Sequence, residues 1–184
     1  KDKPKTDETA EPLDVSSCKL CPRECGVNRL DGERGICGES AEIRVSRISL
    51  HPYEEPAISG KRGAGTIFFC GCSLGCVYCQ NKAISRGECE GQIMTPEELA
   101  RAMLDLQEKG AACIDLVTPT HFSHGVAAAL RLVKNKLNIP VVYNTSGYER
   151  VQTLKALDGL VDVYMPDFKY ASAELAAKYS AAPD

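Results

Sequence analysis

The sequence predicts an α/β chain: four βα units on a parallel sheet, preceded by a cysteine-rich metal-binding segment. Three observations predict this. From Thr66 onward, short apolar runs alternate with amphipathic stretches. Each of the later apolar runs gives way to a polar cluster at its carboxyl end. Seven of the ten cysteines fall into two groups with x2 and x3 spacings.

In chain order, residues 1–17 are polar and mixed in charge, with Pro4 and Pro12, and read as a flexible tail. Residues 18–64 form the cysteine-rich metal-binding segment. It carries Cys18, Cys21, Cys25 and Cys37 among Gly26, Gly32, Gly35 and Gly38. An extended stretch follows over Glu42–Leu50, with Ile43, Val45 and Leu50 apolar, and then a loop over His51–Gly65. Residues 65–184 form the core.

Thr66–Cys70 is a buried strand. Thr95-Pro-Glu-Glu98 is a capping box with proline at the first helical position. The helix behind it presents Leu99, Met103 and Leu106 and stops at Gly110. Cys113–Val117 is the second strand, ending in Thr118-Pro-Thr-His121. The next helix, capped by Ser123, aligns Val126, Leu130, Val133 and Leu137. Pro140–Tyr143 is the third strand, followed by Asn144-Thr-Ser-Gly147 and a helix with Val151, Leu154 and Leu157. Val161–Met165 is the fourth, followed by Pro166-Asp-Phe-Lys169 and a helix over Ala173–Ala181. Consecutive βα units imply parallel strands with right-handed crossovers. Their carboxyl ends form the active face of such folds, so the polar clusters and the second cysteine group converge on one rim. Four strands cannot close a barrel, and the last would leave an unpaired edge. The chain therefore reads as the first part of a longer protein.

Composition narrows the function classes. Apolar residues make up 43% of the 184, enough for a packed core, and the net charge of −3 gives no footprint for nucleic acid. No run approaches the roughly 18 apolar residues of a membrane span, and no secretory leader is visible. The chain begins at Lys1, so a removed targeting segment stays open. Ten cysteines in a small secreted protein would suggest a disulfide scaffold. Closely spaced groups favour shared metals instead, and with them a reducing, cytoplasmic setting.

The second group, Cys72, Cys76 and Cys79, offers three thiolates with C-x3-C-x2-C spacing. Structural zinc and iron–sulfur cubanes usually take four protein ligands, so three leave a metal corner open for chemistry. A zinc knuckle completed by a fourth cysteine is the alternative, with Cys70 nearest. Cys70, within Phe68-Phe69-Cys70, reads as a small buried hydrophobe. The first group, with four cysteines, suits a closed site: zinc or an auxiliary [4Fe–4S] cluster. His121 and His124 read equally well as buried histidines satisfying backbone groups. His51, Glu54 and Glu55 stand where they could line the entrance.

The loop Cys70-Gly-Cys-Ser-Leu-Gly-Cys-Val-Tyr-Cys-Gln-Asn81 resembles the cluster loop of radical S-adenosylmethionine (SAM) enzymes. Several further runs resemble proteins labelled pyruvate formate-lyase activating enzyme-like. These are Cys18-Lys-Leu-Cys-Pro-Arg-Glu-Cys25, Gly65–Phe69, Thr118–His121, Asn144–Tyr148 and Pro166–Tyr170. The resemblance implies a partial TIM-like parallel (β/α) barrel of the radical SAM type, incomplete at its C-terminus. It implies an oxidoreductase whose [4Fe–4S] cluster, on Cys72, Cys76 and Cys79, cleaves SAM reductively to a 5′-deoxyadenosyl radical for hydrogen abstraction. The label points to activation of a glycyl radical enzyme, a protein substrate. It also points to a one-electron donor such as flavodoxin or ferredoxin. Tyr78 would face the adenine. Thr118 and Thr120 stand where many such enzymes carry a Gly-Gly-Glu-like segment. Asn144, Thr145, Ser146, Asp167 and Lys169 match SAM-binding positions, with Asp167 and the Met165 carbonyl also matching a monovalent-cation site. Asn144 stands where the activating enzymes tend to carry Asp. The competing reading is a non-catalytic iron–sulfur or zinc protein of electron transfer or assembly; a zinc-ribbon interaction module on a partial barrel is a third. The strand-end polar groups argue against both.

Overall fold

A computed structural model of the chain describes residues 13–86 and 89–182. Six strands form one sheet: β1 (Ile43–His51), β2 (Ala64–Phe69), β3 (Gln92–Met94), β4 (Ile114–Val117), β5 (Val141–Thr145) and β6 (Val163–Pro166). Their order is β3-β1-β2-β4-β5-β6. β2, β4, β5 and β6 are parallel neighbours, as the βα alternation predicts. The sheet departs from the expected all-parallel arrangement at one edge. β1 pairs antiparallel with β2, and the unpredicted β3 pairs antiparallel with β1. β3 was hard to see in sequence because three residues, two of them exposed, carry almost no periodic signal.

β2 is buried along its whole length, as befits a strand covered on both faces. β6 is largely exposed at the other edge of the sheet. Helices α3 (Pro96–Glu108) and α4 (Ser123–Val133) cover one face. Leu99, Met103 and Leu106 of α3 meet Val126, Leu130 and Val133 of α4 in one core with Ile67, Ile114, Leu116 and Tyr143. Thr95 caps α3 in both directions: its hydroxyl accepts from the Glu98 N–H and its own N–H donates to the Glu98 carboxylate. The opposite face holds a smaller cluster of Ala64, Cys113 and Val142, with Ile58 of the short helix α1 (Pro56–Ser59) packed against it. α1 lies within the predicted His51–Gly65 loop.

Two short helices complete the βα pattern. α5 (Val151–Ala156) buries Thr153 and Ala156, with Leu157 just beyond it, whereas Val151, expected on the inner stripe, is exposed. α6 (Ala173–Ser180) is capped by Ser172. Ser123 does not cap α4; Phe122 takes that position, and the Ser123 hydroxyl donates to the Thr120 carbonyl. The tail assigned to residues 1–17 ends sooner than expected: Val15 is buried with Cys18 and Leu20, and Leu13 packs beside them. Residues 1–12 of that tail lie outside the described residues.

Deleting the buried thioether in Met103→Ala is expected to cost about 2–5 kcal/mol, while Thr95→Ala costs about 1 kcal/mol. Urea midpoints of the two variants, at unchanged m, check this difference.

Candidate functional site

The Cys72 loop leaves the carboxyl end of β2 and returns through the one-turn helix α2 (Lys82–Ser85). Its three cysteines are free, and all three line a cavity of about 850 Å³. Gly71 begins the loop with φ +77°, and a Cβ there would come within 2.6 Å of the Cys37 carbonyl oxygen. Only glycine lets the backbone pass so close. Burial pushes the Cys72 thiol above its ordinary pKa, against the N–H groups of Gly75 and Leu74, and neighbouring Cys76 and Cys79 push it further. As thiolates the three would repel one another, and a bound cationic metal would offset that charge. Ser85 Oγ donates to Cys79 Sγ at 3.3 Å. Among the described residues, no three His, Cys, Asp or Glu side chains are drawn in to ion-ligand separation, here or in the N-terminal group.

The ends of β4, β5 and β6 complete the cavity. Thr118, Asn144, Thr145, Ser146, Asp167, Lys169 and Tyr78 all line it, as do His51, Glu54 and Glu55. Thr118 holds φ +56°, a left-handed conformation that β-branched residues avoid. Its N–H donates to the Asn144 carbonyl, tying the β4 and β5 ends together. Tyr78 is about half exposed and meets the edges of Tyr170 and Tyr179 at 6.2 and 6.4 Å. Lys169 Nζ pairs with Asp167 Oδ2. Partial burial disfavours the ammonium, but the Asp167 carboxylate and the Cys76 and Cys79 thiols outweigh it and hold its pKa above the ordinary value.

Thr120 is the exception among the expected cavity residues. It is fully buried, and its hydroxyl donates to Glu149 Oε1 at 2.5 Å, below the rim rather than in it. Thr145 Oγ1 donates to the same oxygen. Burial pushes the Glu149 carboxyl up to about 7, against these hydroxyls. Sequence reasoning missed this residue, since a glutamate after Ser-Gly-Tyr looks solvated. It also passed over Asp115, which burial and the Glu54 carboxylate push up to about 7, against the Asn144 side chain beside it. A charged residue inside the apolar run Cys113–Val117 was the available signal.

His121 and His124 carry no cavity chemistry. Their Nε2 atoms meet the carbonyls of Cys70 at 2.6 Å and Ala41 at 2.9 Å. Burial lowers their pKa values to about 3 and about 4, so both are neutral. Cys70 is not a simple buried hydrophobe: it forms a disulfide with Cys89, 19 residues on. The pairing arises because the end of β2 lies beside the segment entering β3, a strand the sequence hid. Cys70 is thereby removed as a fourth ligand for the Cys72 group.

The N-terminal cysteines lie within electrostatic reach of one another without closing to ion-ligand separation. Burial pushes the Cys21 thiol up to about 12, and Cys37, Cys18 and Cys25 each add to the rise.

Residues 66–181 match the family model of the Radical SAM superfamily. An uncharacterized protein of Methanocaldococcus jannaschii is 33% identical over 170 residues, covering 89% of this chain and 48% of that protein. The chain thus spans about half the length of this curated relative. No solved structure matches it.

The Glu149 pKa sets a pH signature. Below 4.5 both folded and unfolded chains carry the proton; between 4.5 and about 7 the unfolded chain releases it while the fold resists, so stability falls as pH rises. The two buried histidines act oppositely below 6.5, losing stability as pH falls. The difference between wild type and Glu149→Gln isolates the carboxyl: the variant is expected to gain relative stability from pH 4.5 towards 7. Urea midpoints across that range measure it.

Proposed function

The chain belongs to the radical SAM superfamily, and on that premise we propose that this cavity binds SAM against a [4Fe–4S] cluster held by Cys72, Cys76 and Cys79. The family implies both the cluster and SAM. One observation carries the assignment of the site: three free thiols and polar side chains from the ends of three successive parallel strands line the same cavity. The donor set fits, since three soft thiolates suit iron–sulfur and leave one metal position to a non-protein ligand. When bound, the reduced cluster supplies the electron that splits the sulfonium C–S bond of SAM, giving methionine and a radical that takes hydrogen from a substrate.

The chain's own residues do the positioning. Tyr78 offers a flat apolar surface beside the last cysteine. Lys169 supplies a point charge to the SAM carboxylate, and its Asp167 partner keeps the ammonium charged. Thr118, Asn144, Thr145 and Ser146 supply hydroxyls, an amide and backbone groups for the ribose and amino ends. Thr120 serves one layer below, by holding Glu149, which fixes Thr145 from beneath. Asp167 and the Met165 carbonyl are the groups for a monovalent cation, although in this structure Lys169 already neutralises Asp167. The subfamily resemblance supports a protein substrate whose glycine loses hydrogen, and a flavodoxin or ferredoxin as electron donor. The disulfide at Cys70 weighs against the alternative of a closed, non-catalytic cluster, because the nearest fourth thiolate is taken.

Full-length protein reconstituted anaerobically with iron and sulfide, then given dithionite and SAM, is expected to form 5′-deoxyadenosine. Cys72→Ala, Cys76→Ala and Cys79→Ala are each expected to abolish it. Neither 5′-deoxyadenosine nor a SAM-dependent change in the cluster EPR signal would sink the proposal. Lys169→Ala is expected to weaken SAM binding about tenfold, the loss of one charge-assisted contact, read by titrating that EPR change.

A further inference from the structure

We propose that Asp115 and Glu54 form a subsite at the base of the cavity that binds a cationic nitrogen of the substrate, an ammonium or a guanidinium. The subsite rests on the reading of this cavity as the place where SAM and substrate meet, and it names the chemical class of that substrate.

The sheet aims Asp115 at the cavity. Side chains alternate along β4. Ile114 and Leu116 enter the core with α3 and α4, so Asp115 and Val117 point to the opposite face. On that face Val117 lines the cavity, as does Phe68, its register partner on β2. Asp115 sits one layer deeper and is 0% exposed. The two side chains that act on its carboxyl most directly, Glu54 and Asn144, both line the cavity. Ser59 Oγ donates to the Glu54 carbonyl at 3.0 Å and holds that residue just ahead of α1.

Nothing among the described residues satisfies this carboxyl. Neither of its oxygens has a hydrogen-bond partner at good geometry. Thr66, its register partner on β2, is equally buried, but its hydroxyl turns to the Ala64 carbonyl. Below lies the apolar cluster of Ala64, Cys113 and Val142, closed by Ile58 of α1. Among the described residues no Lys, Arg or His forms an ion pair with Asp115. Glu54 adds a second carboxylate rather than a counter-charge, and its contact with His51 Nε2 is a loose 3.9 Å. Arg47 also lines the cavity, yet its guanidinium lies over the Phe68 ring, 4.6 Å from the centroid. A buried carboxylate without donor or counter-charge is costly, and a ligand that brings both relieves it. A metal ion is the poorer match, because among the described residues no three acidic or histidine side chains close to ion-ligand separation. An ammonium or guanidinium carries the charge together with several N–H donors, and so spans two carboxylates at wider spacing. Phe68 and Val117, one layer above, offer an apolar wall to the carbon stem of such a group.

The test uses full-length protein reconstituted with its cluster, and n-butylammonium and n-butylguanidinium as probes, with n-butanol as the neutral control. Binding is read by ligand-observed NMR titration, without SAM and with SAM at saturation. At least one of the two cations is expected to bind saturably in both conditions, and n-butanol about tenfold more weakly or not at all. Asp115→Asn keeps the shape of the side chain and removes its charge, and is expected to weaken that cation about tenfold. Glu54→Gln, outside the sheet, carries the same expectation and decides the matter if Asp115→Asn does not fold. Absence of saturable binding by both cations, equal binding by n-butanol, or wild-type affinity in a folded variant overturns the subsite. Competition between the probes and SAM also overturns it, because the carboxylates would then serve the SAM amino group. SAM binding itself is read from the cluster EPR signal, so failure here and failure of the proposed function are separately visible.

Discussion

Parallel register is the constraint on which the site depends. Phe68 pairs with Val117, Val117 with Asn144, and Asn144 with Met165, so a single row of residues crosses four strands. Just beyond that row stand the start of the cysteine loop after β2, Thr118 after β4, Thr145 at the end of β5 and Asp167 after β6. A slip of one residue in any strand would turn its set to the other face. The core of α3 and α4 against Ile67, Ile114, Leu116 and Tyr143 makes such a slip costly, because every one of these side chains would leave the apolar layer.

Beneath the rim the protein keeps its buried ionisable groups neutral or enclosed. The two histidines are uncharged and spend their Nε2 atoms on backbone carbonyls. Glu149 is held by two threonine hydroxyls. The one strong base in this layer, Arg29, is satisfied by the Ser40 and His121 carbonyls and faces a thiol. These contacts join the N-terminal segment to the α4 side of the sheet, so the cysteine-rich segment is packed against the core rather than appended to it.

Much of the α/β core was legible because its signals are local. The apolar runs, the Thr95 capping box and the Leu99, Met103, Leu106 stripe each need only a short window of sequence. The rim residues were legible for a related reason: polar clusters directly after apolar runs must lie at strand ends. What escaped depends on contacts distant in sequence. β3 exists only because β1 offers it an edge. Cys70 meets Cys89 only once β3 has formed. Glu149 finds one of its two threonine partners, Thr120, 29 residues away. Arg23 looks like a solvated charge between two cysteines, yet it donates to the Ser73 and Leu74 carbonyls some 50 residues on.

The Cys70–Cys89 bond has a topological meaning. Cys72, Cys76 and Cys79 all lie between its two ends, so the segment presenting them is a covalently closed ring rather than an open strand-to-strand connection. A ring of this size has far fewer unfolded arrangements than a free loop, by roughly 3 kcal/mol in the chain-entropy view. The three thiols are therefore partly gathered before any metal arrives. Breaking that one bond would leave all three cysteines in the chain and yet return their search for one another to an open loop.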